Sequence, residues 1–324
     1  MRSAMLWLSA IAILGVAVTA AEGAPPKRQP ERQEFTRPDD LLRWINGYRA
    51  SPKPDKVPEL VKAASAMGVF RDMETAGVYV GFMAGVIEAN PKRAETLITK
   101  MFPMPPEDQV AIVRAIAHSG HPQWKQLLAK FAERMPARSV LIDRFVSGKL
   151  PRLDTMPLDV GPAPLDMLWG KYFATGSYDP VLRMVSILEW AKDGNNLDRL
   201  TVGNMATLTL ATNASRDPTL LKMLKSSMRH ETKETRAVLT EVIEAAETFE
   251  LAKVRRDAMA SIEQLKVKGP ASARNTLWWG QAGQTALALG CVVAGALGQV
   301  QVGIPCIVGG AASSAALKWA VPGQ

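Results

Sequence analysis

Two cysteines, three histidines and a near absence of alternating β-branched runs are the scarcities that first bound this chain of 324 residues. With so few thiols and imidazoles, a cysteine–histidine metal centre is hard to build. The pair His118 and His121, in H-S-G-H, has no cysteine or carboxylate cluster beside it, so a capping or surface role is expected there. No HExxH, GxSxG, phosphate-binding glycine loop or dinucleotide fingerprint occurs, which leans against an enzyme and predicts no cofactor and no metal. Basic residues never run longer than a dipeptide and do not alternate with aromatics, so nucleic acid is not an expected partner despite a net charge of +8.

The beginning of the chain has one base, Arg2, then an apolar stretch from Met5 to Val18, then small residues at 19–21. This three-part pattern is that of a secretory signal, assigned to residues 1–23, with processing expected after Ala20 or Gly23. An uncleaved anchor is the alternative, but the apolar core falls short of the ~20 residues a spanning helix needs. Removing 1–23 takes the charge count from 39 − 31 to 38 − 30, so +8 is retained. Residues 24–36, rich in proline and charge, read as a disordered arm. The compartment implied is exported, periplasmic or secreted in a bacterium.

From Asp39 onward the apolar residues recur at three and four, which predicts an all-α chain. Four stretches share one design: GVIEANPKRAETLI, AIAHSGHPQWKQLL, YFATGSYDPVLRMV and LATNASRDPTLLKML. Each joins an apolar helix end, a polar turn, a residue suited to capping and a proline (Pro91, Pro122, Pro180, Pro218) that suits the first turn of a helix. The fold expected is an irregular helix-pair repeat, α-solenoid-like, resembling such arrays in architecture only. It divides into an N-terminal half, 37–147, and C-terminal repeats, 165–230. Between them the prolines of 148–164 mark either a linker or a long packed loop.

Residues 231–268 contain no helix breaker and carry a broad apolar stripe through Val238, Val242 and Ala245, with acids early and bases late. That reads as a long brace helix whose charges suit its dipole. Beyond it, Ala282, Ala286, Gly290, Ala294 and Gly298 give a small-residue face inside an apolar segment, 277–324, that predicts a helical hairpin. Cys291 and Cys306 fall symmetrically about Gly298–Gln299, so a disulfide across the hairpin is expected in an exported protein. The same segment is the candidate for membrane association, though its arms are short for two spans and its flanking charges oppose the positive-inside tendency.

One aromatic concentration stands out as a candidate ligand groove: Trp169, Tyr172, Phe173 and Tyr178, with the core of a helix pair as the alternative. Glu241, Glu244 and Glu247 read as a solvated helix face. Taken together these features predict an exported helical scaffold that binds a protein or a cell-envelope component, or alternatively a membrane-associated protein working through 277–324.

Overall fold

The computed structural model describes residues 35–73 and 75–248. The expected signal sequence, nearly all of the expected arm, the expected brace beyond Thr248, the expected hairpin with its packing face Ala282, Ala286, Gly290, Ala294 and Gly298, and both cysteines lie outside the described residues. Of the arm, Phe35 and Thr36 are described, the first buried and the second exposed but hydrogen-bonded. Phe35 is buried edge-on to Trp44 at 5.8 Å, and the Thr36 and Arg37 amides donate to Asp40. The start of the packed chain therefore includes Phe35.

Among the described residues the chain is all-helical, with twelve α-helices and no strand. They are α1 Pro38–Gly47, α2 Val57–Ala66, α3 Gly77–Ala89, α4 Ala94–Met101, α5 Gln109–His118 and α6 Trp124–Ala132. There follow α7 Ser139–Val146, α8 Ala163–Thr175, α9 Tyr178–Val185, α10 Leu197–Ala214, α11 Pro218–Ser227 and α12 Lys233–Thr248. Each of the four proline-marked turns separates a helix pair: α3/α4, α5/α6, α8/α9 and α10/α11. The caps differ from those the turns suggested. Asp217 accepts the Thr219 and Leu220 amides, but Asn90 donates back to the Val86 carbonyl, and Ser177 rather than Asp179 caps α9.

Two kinds of helix result. In α3 and α8 apolar or small residues are buried on nearly every side, whereas α1, α4, α6, α9 and α11 bury one face only. Helix α10 is also buried all round although it holds Asn204, Thr207, Thr209 and Asn213. Each of these returns a hydrogen bond to a carbonyl one turn earlier, at 2.7–2.9 Å, so its polarity is satisfied within the helix.

The most extensive helix contact among the described residues joins α3 to α8. They run parallel, because Gly77 meets Ala163 and Asp166, Gly81 meets Met167, and Gly85 meets Lys171 and Ala174. A Cβ on Gly81 would lie 1.9 Å from the Met167 carbonyl oxygen, and one on Gly170 would lie 2.0 Å from that of Val78. Backbone therefore touches backbone, which only glycine permits. The contact is reciprocal: Gly81 and Gly170, Val78 and Met167, Gly85 and Ala174, and the turn prolines Pro91 and Pro180 each stand 89 apart (170 − 81). Each half presents the same register to the other.

On its other side α3 packs on α5, while α8 meets α10 through a Trp169 Nε1–H bond to Thr209 at 3.0 Å, and α10 packs on α12. The row thus runs α5, α3, α8, α10, α12, and the chain must return from α7 to reach the far side of α3. Residues 147–162 make that return as a packed loop. Leu153 and Leu158 are buried, the Leu153 amide donates to His118 Nδ1 at 3.0 Å, and Arg183 bonds the carbonyls of Leu153 and Met156. The described part of the brace, α12, lays Val238, Val242 and Ala245 against this row as the stripe indicated.

Substituting Gly81 or Gly170 by alanine is expected to cost at least about 3 kcal/mol, since backbone cannot yield as a side-chain tip can. Gly47→Ala, where a Cβ meets nothing within 4 Å, should instead stabilise by about 0.5–1 kcal/mol. Urea midpoints of the three variants check both.

Candidate functional site

The structure places the four aromatic residues of the expected groove apart in role. Trp169, Tyr172 and Phe173 are core side chains of α8, packed on one another with ring centroids 5.6–5.9 Å apart. Tyr178 is half-buried at the start of α9, its hydroxyl donating to the Met223 carbonyl at 2.9 Å. Their surfaces are occupied by packing. The opening nearest to them lies one turn further along α8 and is lined by other residues.

At that end of α8 a polar junction closes the helix. Tyr172 donates to Asp217 Oδ2 at 2.6 Å, Arg49 donates to the Tyr172 oxygen at 2.9 Å, and Arg49 also bonds the same carboxylate oxygen. The guanidinium lies 4.9 Å from the centre of the tyrosine ring. The remaining Asp217 oxygen caps α11. Burial, and then the neighbouring Asp217 charge, push the Tyr172 hydroxyl well above its ordinary range, so it stays protonated and works as a donor. Gly176 permits the junction: it turns the chain in the left-handed region at φ 66°, and a Cβ there would sit 2.8 Å from Arg49 Cδ. Tyr172 and Asp217, 123 and 168 positions beyond Arg49, are thereby held together with it.

Beside this junction is a cleft of about 450 Å³. Its apolar walls are Tyr48, Pro52, Pro54 and Ala174; its polar groups are Glu88, Asn90, Thr175 and Ser177. Because α3 and α8 run parallel, both of their C-terminal ends, Ala89 and Thr175, reach this cleft. Each end carries a partial negative charge from its helix dipole. Glu88 stands at the rim, paired with Lys171 at 2.9 Å. Such a site favours a ligand that brings hydrogen-bond donors or positive charge along an apolar, extended body.

Other candidates from the sequence are distributed elsewhere. His121 accepts the Gln123 amide at 3.1 Å and meets the Pro91 carbonyl at 3.3 Å, which joins the turns of two helix pairs. Glu241, Glu244 and Glu247 are exposed on α12, and Glu241 pairs with Lys192 at 3.3 Å. No group of three metal-ligating side chains occurs among the described residues. No described helix is long and apolar enough to cross a membrane. No protein-family model, curated protein or solved structure matches the chain.

Two buried ionisable groups were not distinguishable by sequence. Asp166, one turn into α8, is fully enclosed against Gly77 and neither carboxyl oxygen has a partner. Desolvation alone raises it well above the carboxylate range. His118 is lowered to about 3, by burial first and then by the charges of Arg114, Arg152 and Lys171.

These shifts act on stability at opposite ends of the pH scale. Asp166 in the folded state holds its proton above the unfolded value near 3.8, so its cost grows as pH rises from there. His118 resists protonation below its unfolded value near 6.5, so its cost grows as pH falls from 6.5 toward 3. Asp166→Asn is therefore expected to stabilise at pH 8 and to make little difference at pH 4, read from denaturation curves at both values. For the polar junction, Tyr172→Phe should cost about 1.5–3 kcal/mol, and much less in an Asp217→Ala background. Equal costs in both backgrounds would show the pair to be uncoupled.

Proposed function

We propose that the chain is an exported helical scaffold that binds a protein or cell-envelope partner, with an extended, donor-rich segment of that partner lying in the cleft at the ends of α3 and α8. The observation that carries this reading is the convergence of two helix C-termini, Glu88 and a proline–tyrosine wall on one opening. Proline and tyrosine surfaces accept extended chains at little entropic cost, and the negative ends select lysine, arginine or amide donors. An α-solenoid-like array of helix pairs suits such a role, since its inner helices hold the ends rigid while turns supply the contacts. Binding rather than turnover is the activity proposed.

The test uses Ala89, which is exposed at the last residue of α3, so that a bulky side chain there fills the cleft without entering the core. Random-peptide selection on the full chain should enrich extended sequences containing lysine or arginine. Binding of those peptides to the Ala89→Trp protein should weaken at least about tenfold. Enriched peptides that bind both proteins equally would remove the cleft from the function.

A further inference from the structure

A second opening lies at the other end of α8. It is a pocket of about 220 Å³ between α5, α7, the return loop and the first turns of α8. Phe145, Leu150, Met156 and Met167 make most of its wall apolar. Val160, 57% exposed, stands at its rim. His118 lies on its inner wall, 3% exposed and edge-on to Phe145 at 5.4 Å.

The orientation of this imidazole follows from its one hydrogen bond. Nδ1 accepts the Leu153 amide, so in the neutral ring the proton sits on Nε2. That N–H has no acceptor among the described residues and is not one of the side-chain atoms sealed from solvent, so it opens on the pocket, where an acceptor brought by a ligand can take it. Arg114 lines the same pocket. Arg114, Arg152 and Lys171 all act on His118 against protonation, with only Asp154 opposing them. A neutral imidazole donor and a guanidinium on the wall of an apolar pocket match an anion whose remaining body is hydrocarbon.

We infer that this pocket is a binding site for a small carboxylate amphiphile, the tail lying among Phe145, Met156 and Met167 and the carboxylate accepting from His118 Nε2–H. The volume sets the class, since it admits a short aliphatic or aryl tail and excludes a whole phospholipid or a folded partner. This site is independent of the cleft at the opposite end of α8.

Octanoate, octanol and octylamine, each below its aggregation threshold, serve as probes for calorimetric titration of the full chain. Octanoate should bind saturably, with octanol and octylamine at least tenfold weaker. Val160→Glu places a negative charge at an exposed rim position, so it should weaken octanoate at least tenfold and leave the melting temperature unchanged. His118→Phe keeps the ring contact with Phe145 but gives up the Leu153 amide, and should likewise lose octanoate. Ala89→Trp should retain it, which separates this site from the scaffold reading. The inference is overturned if octanol binds as tightly as octanoate, if folded Val160→Glu protein binds octanoate unchanged, or if no saturable binding is found.

Discussion

Everything described in this fold is arranged around the place where α3 and α8 lie backbone against backbone. Gly77, Gly81 and Gly85 clear one side of α3, and Gly170 clears the facing point of α8. Helices this close gain dispersion contacts and Cα–H···O contacts along the whole seam, neither of which survives an added methyl group. The seam also fixes direction. A parallel pair cannot be joined by a short turn, so the four helices from α4 to α7 and the packed loop after them are the means of bringing the chain back to the start of α8.

The constant offset of 89 residues across the seam has a physical consequence for the polar groups. Gly77 and Asp166 occupy equivalent positions in the two halves, and the missing side chain on one leaves the volume that the other fills. Volume is satisfied there and polarity is not, since neither oxygen of Asp166 finds a donor. On the outer flank of the same helix pair, His118 meets one donor and leaves its own proton unmatched. Both groups sit where shape complementarity has taken precedence over hydrogen bonding.

Helix positions were legible in the sequence because the outer helices alternate at the helical period and because proline marks four of the turns. Each of the four proline-marked stretches spans the end of one observed helix and the start of the next. What was not legible was which inner helices meet. A helix buried on all sides shows no polar face, so periodicity is silent about its neighbours. The glycines of α3 repeat every four residues, the same signature that drew attention to 282–298, yet they lie in a run so apolar that no face is marked. On α8 the facing glycine stands alone among larger residues. For the same reason the aromatic cluster suggested a groove: Trp169, Tyr172 and Phe173 cover several sides of one helix, and only the presence of α3, α10 and α9 around it turns that into core. The Arg49–Asp217 contact, 168 residues apart in the chain, carries no local signal at all.

The positions of the two openings follow from the seam. Close contact runs from Gly77 against Ala163 to Gly85 against Ala174, and the openings lie beyond its two ends. At the C-terminal end the gap is bordered by Tyr48 and the Pro52–Pro54 turn, at the other by the return loop and Phe145. Turns and loops fill space less completely than interlocking helices, so clefts persist there. The electrostatics of the two gaps are then set by what surrounds each. One gathers two helix C-termini and Glu88, the other has His118 and Arg114 among its lining. The two ends of the α3–α8 seam thus open on different polar linings, and ligands selected by charge need not compete.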